Sequence, residues 1–474
     1  MAEIMGHPQP IVSSSGKPVI AGAASGDAEH LLGHLPPTHA LSPRRAFAAL
    51  RFPTRLLVDA SPVDPWELDT RRLPATLQRL RRRTRAFVQR ELEPLALQID
   101  AMPHWPAGQQ PEELNELLRR AGRAGLLTDT LPWPLGSGPP MRYRHSLAMQ
   151  QSIKVEELAR GCGGLMLLLS AHVLGLAPLL QSGDPRLLRR FVLPAFRACR
   201  RGDPHLFAYA ITEPAAGSDV EDGHGAACYR PGVVARRTEG GWLLRGRKCF
   251  ISGGDVAKSI AVFAALDGED MASWTCFLVH NDSPGFRVAR TELKMGMRAS
   301  GAAELELEDV FVPSDRVVGG LRQGWALNRA TLNMSRLPVG AMAVGFAQAA
   351  ADIAVDFARS QRLGDRRLID YQEVQTAIAD MLAECAAIRA FIWQSARSWA
   401  PRQMTGAACK FHCTDAAVRV AYQAMDLLGN HAVLPGMRAE KVFRDARLTQ
   451  IFEGTNQINR LALIEDMQDL FLNV

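Results

Sequence analysis

The spacing of apolar residues changes twice along the chain. From about Leu73, apolar residues recur every three or four positions, which is the period of an amphipathic helix. Between about 203 and 318 they alternate with polar residues or form short runs, as in strands. Three long Ala-rich segments, 324–360, 372–400 and 403–429, then return to the helical period, and antiparallel packing of such helices predicts a bundle.

Four segments of the middle region predict strands: 242–251, 259–266, 274–279 and 303–312. In the last segment, two leucines alternate with Glu304, Glu306 and Glu308. Alternate side chains of a strand point to opposite faces, so this pattern predicts one buried face and one solvated face.

These periods predict an α+β protein in four parts. They are an irregular N-terminal extension (1–72), an N-terminal helical domain (73–202), a middle β domain (203–318) and a C-terminal helical bundle (319–474). The extension is set apart by stretches rich in Gly, Pro and Ser, which interrupt regular structure.

Composition and charge narrow the classes of partner. With 47% hydrophobic and 22% charged residues, the chain resembles ordinary globular proteins. Its net charge is +6, but the basic residues are spread along the chain. A solvated surface is therefore favoured over a phosphate-binding patch, and no nucleic-acid partner is expected.

The eight cysteines form no CxxC pair and no secretory signal opens the chain, which predicts reduced thiols and a cytoplasmic location. Cys409 and Cys413 share a helix face, but a closed zinc site needs four ligands. No second ligand pair stands out, so no metal site is expected. The apolar stretch 164–180 is short for a membrane span and predicts buried helix rather than a transmembrane segment.

Three short segments carry residues that packing alone explains poorly. The first runs from Tyr209 to Asp219 and includes Thr212, Gly217 and Ser218. Hydroxyls and backbone amides around a glycine can hold a cofactor or a phosphate, although an ordinary polar turn has the same composition.

The second segment runs from Lys248 to Gly254. Phe250 and Ser252 are two residues apart on a predicted strand and so share a face. An aromatic ring beside a hydroxyl suits a flat cofactor, and a plain strand that ends in a glycine turn is the alternative.

The third segment runs from Arg444 to Ile458. In it, Glu453 lies between Phe452 and Gly454. A carboxylate in an apolar pocket has a raised pKa and is a useful base near neutral pH. A surface glutamate at a helix start would have the same sequence.

Together these segments resemble the acyl-CoA dehydrogenase family. The matches follow family order over residues 75–474: YxxTEPxAGSD at 209–219, KxWITNG with substitutions at 248–254, GxRxS at 296–300, DVxVP at 309–313, and RDA…IxEGTxQIxR at 444–460. The resemblance implies an N-terminal helical domain, a middle β-barrel or sheet domain and a C-terminal four-helix bundle.

The resemblance also implies FAD and assigns residues to it. Tyr209, Thr212, Phe250 and Ser252 would lie along the flavin, with Phe250 in place of the usual Trp and Ser252 in place of Thr at the N5 edge. Thr455 and Gln457 would also meet FAD. The far half of FAD is bound partly across a subunit contact, where Arg362, Gln372 and Gly429 are the matching residues. Asp426 and the altered motif around Arg362 depart from the family there, and a carboxylate near a pyrophosphate is unfavourable.

For the substrate, the resemblance implies an acyl thioester carried by CoA or an acyl carrier protein. Ser218 would contact the pantetheine, and Asn333 and Arg336 would lie beside the entrance. Glu453 would take the α-proton while hydride passes to flavin N5, which gives a trans-2-enoyl thioester. Some members carry the base just before the matching arginine, but Ser335 stands there and cannot serve.

The implied partners are an electron-transfer flavoprotein or another electron acceptor and further copies of the chain, as a homodimer or homotetramer, in lipid metabolism. Two alternatives stay open. One is a flavin monooxygenase or oxidase on the same fold, although such monooxygenases usually lack the carboxylate at Glu453. The other is a degenerate, non-catalytic acyl-binding homologue, which Asp426 and the altered arginine motif would favour.

Overall fold

The computed structural model describes residues 47, 50–51, 64–140, 145–221 and 223–472. The chain divides into two units, at residues 1–74 and 75–474. The described part of the first unit contains helix α1, Pro65–Arg71, where the sequence predicts an irregular extension. Asp64 begins this helix because its carboxylate accepts the Trp66 N–H at 2.6 Å. Most of the predicted extension lies outside the described residues.

The second unit opens with helices α2 to α8. Their bounds are α2 Ala75–Phe87, α3 Glu93–Ala101, α4 Glu112–Arg123, α5 Leu147–Gly161, α6 Gly163–Gln181, α7 Pro185–Leu187 and α8 Leu193–Arg201, with π-helical turns at Val88–Leu92 and Leu188–Val192. Helix α6 lies directly against the backbone at Phe207, because a Cβ on Gly175 would come within 2.5 Å of the Phe207 carbonyl carbon.

A mixed sheet follows. Its strands are β1 Phe207–Ala210, β2 Val234–Thr238, β3 Gly241–Ser252, β4 Ser259–Leu266, β5 Thr275–His280, β6 Phe286–Thr291, β7 Ala302–Pro313 and β8 Val317–Val318, with helix α9, Gly223–Cys228, between β1 and β2. The strand order is β6-β7-β3-β2-β4-β5-β8, and β1 pairs in parallel with β4. The four predicted strands are confirmed as β3, β4, β5 and β7.

The predicted solvated face of β7 is wrong at two positions. Glu304 and Glu306 are only 9% and 7% exposed. Arg247 of β3 lies 3.3 Å from Glu306, Arg290 of β6 lies 2.9 Å from Glu304, and Arg287 also pairs with Glu306. These long side chains cover the carboxylates with their stems and guanidinium groups.

The C-terminal part is helical. Its elements are α10 Gly324–Ser360, the hairpin β9 Arg362–Leu363 and β10 Arg366–Arg367, α11 Gln372–Ser395, α12 Gln403–Leu428, α13 Arg438–Leu448 and α14 Asn456–Leu472. The long helices α10, α11, α12 and α14 form the predicted bundle. Fully buried Ala343, Ala347, Ala351 and Ala354 let neighbours approach α10 closely. The predicted α+β architecture is confirmed.

Within the residues that the structure describes, two helices, α6 and α10, are long and apolar enough to cross a membrane by length and composition alone. In each, 72% of the most apolar window is buried inside the protein, as is usual for core helices.

Candidate active site

A cavity of about 500 Å³ lies where the loop after β1, the end of β3, helix α10 and the turn before α14 meet. Residues from all three sequence motifs line it, including Thr212, Phe250, Ser252 and Glu453. The fold therefore brings the three segments to one place.

The helical part of the cavity wall is mostly apolar. Side chains of α5, α6 and α10 line it: Leu147, Ala148, Val155, Leu167, Leu174, Leu332, Val339 and Met342. Gln151, Ser170 and Ser335 are the polar side chains that these helices add to the lining. An apolar ligand segment gains most by entering such a wall, since burial of apolar surface is favourable.

Tyr209 lines the cavity but directs its hydroxyl into the core. The hydroxyl donates to Asn328 Oδ1 at 2.5 Å, and the ring packs edge-on against Phe263 with centroids 5.2 Å apart. Asn328, on α10, is fully buried. The phenol is therefore held in place, and burial raises its pKa well above the ordinary value.

Glu213 joins the loop after β1 to strand β3. Its Oε1 accepts from Lys248 Nζ at 2.7 Å, and its Oε2 accepts from the Tyr229 hydroxyl at 2.5 Å and the Gly232 N–H at 2.6 Å. Burial raises the pKa of this carboxyl, but the Lys248 charge and these donors outweigh burial and lower it. Glu213 is thus a fixed anion that anchors the loop.

Phe250 stands at a bulge near the end of β3. The register with β7 shifts between Lys248 and Ile251, and Phe250 has φ +56°, which is rare for a bulky residue. The bulge leaves the ring 61% exposed at the cavity wall, beside Ser252. An exposed aromatic ring with a neighbouring hydroxyl forms a platform for a flat ligand.

Glu453 lies in a tight turn between α13 and α14. Glu453 and Gly454 have φ +57° and +74°, so two consecutive residues adopt the left-handed region. Lys410 Nζ donates to the Gly454 carbonyl at 2.6 Å, and Asn459 Nδ2 lies 2.9 Å from the same oxygen. These buried donors hold a backbone shape that an isolated glutamate would avoid.

The other side of the turn is also fixed. The Thr455 N–H donates to Ser218 Oγ at 3.0 Å, which ties the turn to the loop after β1. Within the described part of the chain, the N–H groups of Glu453 and Gly454 donate to no protein acceptor. They are available to a ligand in the cavity.

The Glu453 carboxylate faces the cavity with few polar neighbours. Its Oε2 accepts from Ser335 Oγ at 2.7 Å. Burial raises the pKa of Glu453, and the Ser335 hydrogen bond with the charges of Arg336 and Lys410 offset only part of this. Glu453 therefore holds a proton more strongly than a free glutamate does.

Ser335 has one proton and two acceptors in reach. Its Oγ also lies 3.1 Å from the Leu332 carbonyl. The hydroxyl can donate to an ionised Glu453, or rotate to Leu332 and accept from a protonated one.

Four sequence-predicted residues besides Glu453 and the strand pair line the cavity: Tyr209, Thr212, Ser218 and Thr455. Asn333 and Arg336 do not. Asn333 donates to the Pro401 carbonyl at 3.0 Å, and Arg336 is 1% exposed and pairs with Glu221 at 3.3 Å. Neither side chain is part of the cavity wall.

The structure does not bring Arg362, Gln372, Gly429 or Gln457 to the cavity. All four are exposed. Arg362 donates to the Asp365 carbonyl within its own hairpin, and Gly429 ends α12 with φ +57°. The assignment of Arg362, Gln372 and Gly429 to the far half of FAD, across a subunit contact, stays a prediction, and so does the contact of Gln457 with FAD.

Cys409 and Cys413 are both buried free thiols, and Cys409 Sγ lies 3.3 Å from Ser395 Oγ. In the described ranges, no three His, Cys, Asp or Glu side chains are grouped as a metal site would need.

Sequence reasoning missed Glu221, Asn328, Lys410 and Asn459, all buried around the cavity. The sequence does indicate that Lys410 is buried, because Lys410 shares a helix face with Ala407, Cys413 and Ala417. A lone lysine on such a stripe must find buried partners. Glu221 has no comparable signal, since its surroundings are set by distant helices.

Three family models match consecutive parts of the chain: the acyl-CoA dehydrogenase N-terminal domain at residues 74–197, the middle domain at 208–310 and the C-terminal domain at 322–468. The chain belongs to the acyl-CoA dehydrogenase family. It is an oxidoreductase that acts on CH–CH groups.

Individual acyl-CoA dehydrogenases are similar to this chain over most of their length. The short-chain specific acyl-CoA dehydrogenase of Rattus norvegicus mitochondria is 32% identical over 396 residues, which cover 82% of this chain and 90% of that protein. The cyclohexane-1-carbonyl-CoA dehydrogenase of Geobacter metallireducens is 32% identical, with 81% and 95% covered. The structure of butyryl-CoA dehydrogenase from Megasphaera elsdenii is similar with a TM-score of 0.74 and 26% identity, over 83% of this chain and 98% of that one.

FAD is the cofactor of this acyl-CoA dehydrogenase. The residues of the cavity fit its flavin half, because the exposed Phe250 ring offers an aromatic face and the neighbouring Ser252 and Thr212 offer hydroxyls. Thr455, in the turn between α13 and α14, would contact the same half of FAD. The sequence prediction of FAD is confirmed.

Proposed function

We propose that this enzyme removes the α-proton and β-hydride of an acyl thioester to give the trans-2-enoyl thioester, with Glu453 as the base. The observation that carries the proposal is a carboxylate with a raised pKa, held at the wall of an apolar cavity that also contains the Phe250 and Ser252 platform.

Different groups of the chain would have different roles in this reaction. The apolar walls of α5, α6 and α10 would take the acyl chain and keep water away from Glu453. The Glu453 N–H would donate to the thioester carbonyl, which acidifies the α-C–H bond as an oxyanion hole does. Glu453 would then take the α-proton as the Ser335 hydroxyl rotates toward Leu332. Bound FAD supplies the hydride acceptor.

The test is anaerobic mixing of the FAD-loaded Glu453→Gln variant with a panel of acyl-CoAs and carrier-linked acyl groups, followed through flavin bleaching. The amide keeps the shape of the side chain but cannot take a proton. We expect bleaching to slow by about a thousandfold or more, at the upper part of the range for an essential base. FAD content should be unchanged.

The matched control is Glu308→Gln, which changes an exposed glutamate of β7 and should bleach at the wild-type rate. Near-normal bleaching in Glu453→Gln would reject the assigned base. Absence of bleaching in the wild-type protein with every thioester would reject the reaction.

The proposal extends to partners. Family membership supports CoA or an acyl carrier protein as the carrier and an electron-transfer flavoprotein or another acceptor for the electrons. The exposed Arg362, Gln372 and Gly429 support a homodimer or homotetramer, in which another subunit would cover them. Light scattering on the FAD-bound protein measures this, and a monomeric mass would contradict it.

The eight free thiols support a cytoplasmic location, and acyl-thioester oxidation supports a role in lipid metabolism. Fractionation of the native host with an antibody to the chain tests the location.

A further inference from the structure

A second buried carboxylate, Glu221, lies beside the catalytic turn. It ends the short 3-10 turn Ser218–Glu221, is 4% exposed and lines the cavity. Helix α10 fixes this turn twice, because Trp325 Nε1 donates to the Val220 carbonyl at 3.1 Å and Arg329 donates to the Glu221 carbonyl. The position of the carboxylate is therefore set by a rigid helix rather than by a free loop.

Glu221 packs against the backbone of the catalytic turn. A Cβ on Gly454 would lie 2.4 Å from Glu221 Oε2, so the carboxylate occupies the space that a side chain at 454 would need. Glycine is required at 454 for two reasons: the residue has a φ of +74°, and the Glu221 carboxylate leaves no room for a Cβ.

Glu221 is also the partner of Arg336. Glu221 Oε2 lies 3.3 Å from Arg336 Nη2, and the two side chains are 4% and 2% exposed. Among the described residues, Arg336 donates a side-chain hydrogen bond to Glu221 alone, and its Nε has no partner. The guanidinium is thus held by a single contact with Glu221, although its charge also acts on Glu453.

The charged groups that face Glu221 come from several elements. Arg329 and Arg336 come from α10, Lys410 comes from α12, and Glu453 comes from the turn. The fifth titratable neighbour is the Tyr209 phenol of β1. Two carboxyls thus share two main cations, Arg336 and Lys410, inside a buried space.

Burial raises the pKa of Glu221 to about 7; Arg336 and Lys410 oppose the rise, and Glu453 adds to it. Burial lowers the pKa of Lys410 to about 7 as well. Glu221 and Glu453 therefore titrate as a coupled pair, in which each negative charge makes the other harder to form.

We propose that Glu221 is a positioning residue for the dehydrogenation: its carboxylate supports the Glu453–Gly454 turn and engages Arg336, so that Glu453 keeps its strength as a base. The inference rests on the proposed function of Glu453. Without the Glu221 carboxylate, the Arg336 charge would act on Glu453 alone. An opposite charge nearby favours the ionised form of a carboxylate and makes it a weaker base, so Glu453 would remove the α-proton less readily.

The experiment measures proton removal separately from turnover. The FAD-loaded enzyme is mixed with a 3-thia-acyl-CoA, which has an acidic α-C–H but carries sulfur in place of the β-carbon, so no hydride can leave. The α-C–H bond breaks, a Glu453 O–H bond forms, and the thioester enolate is seen as long-wavelength absorbance against the flavin. This absorbance is titrated against pH.

In Glu221→Gln, the negative charge is lost and Arg336 is free to act on Glu453. We expect the midpoint of the titration to move to lower pH by about one unit, with less enolate at the plateau. The acid limb should also become a simple one-proton curve, because the coupled partner is gone. Glu221→Asp, which keeps the charge, should restore most of the midpoint.

The matched control is Glu465→Gln, which removes a carboxylate 2.6 Å from Arg329, a cation that does not contribute to the raised pKa of Glu453. It should titrate as the wild type does. An unchanged midpoint in Glu221→Gln, with or without lower activity, would overturn the proposal and leave Glu221 a packing residue.

Failure of the proposed function gives a different result. If Glu453 is not the base, Glu453→Gln still forms the enolate, whatever Glu221 does.

Discussion

The carboxylates of Glu213 and Glu453 lie near one cavity, the first buried and the second half-buried, yet their surroundings shift their pKa values in opposite directions. Glu213 meets the Lys248 ammonium, the Tyr229 hydroxyl and a backbone N–H. Glu453 accepts one hydroxyl, and Lys410 nearby donates to a backbone carbonyl instead. The number of donors on the carboxylate, more than burial, separates a structural anion from a base.

The largest expected effect is on stability, at Glu213, the structural carboxylate of the two. Lys248→Met removes the cation and leaves Glu213 buried without its main partner. We expect a loss of about 3–5 kcal/mol in the free energy of unfolding, the usual result of breaking a buried ion pair. Urea unfolding of the FAD-bound protein, followed by tryptophan fluorescence, measures it.

The exposed pair Lys258–Asp203, with atoms 2.9 Å apart, provides the control. Lys258→Met should cost less than about 1 kcal/mol, because surface pairs contribute little. Equal losses in the two variants would mean that the Glu213–Lys248 pair does not anchor the loop.

A smaller effect is expected at the catalytic carboxylate. Ser335→Ala removes the hydroxyl that stabilises ionised Glu453. Because the charged form loses a hydrogen bond, the pKa of Glu453 should rise, and the acid limb of flavin reduction should move to higher pH by about one unit. Glu221→Gln is expected to move the same limb the other way.

An acid limb that stays in place in Ser335→Ala would show that this hydroxyl does not act on the base. Ser360→Ala is a suitable control, since that hydroxyl caps the exposed end of α10 and lies outside the cavity.

The sequence predicted the elements with strong local patterns. The bounds of α10 match the predicted segment 324–360, because its Ala-rich helical period continues on both sides of Pro338. Strands β1, β2 and β6 were not predicted, since β1 has four residues and the other two carry several arginines. The burial of Glu304 was also missed, because the covering Arg290 comes from a neighbouring strand.

In the site too, the residues of contiguous motifs could be predicted and those that depend on tertiary packing could not. Thr212, Phe250, Ser252 and Glu453 belong to contiguous motifs, and the fold brings them together. The support for Glu453 from Ser335, Lys410 and Asn459 depends on how three helices pack, which no local pattern encodes. Arg362 and Gln372 lie on the surface of a single chain, so their role depends on contacts beyond it.

The central claim is that Glu453 works as a base because burial raises its pKa above the ordinary value of 4.5. The most direct measurement is the rate of anaerobic flavin reduction by a saturating acyl-CoA, in a single turnover, as a function of pH. The rate should fall as pH drops through the raised pKa of Glu453, so we predict an acid limb with a midpoint clearly above 4.5 that is absent from the residual activity of Glu453→Gln. A rate that holds constant down to pH 4.5, or the same limb in Glu453→Gln, would contradict the account.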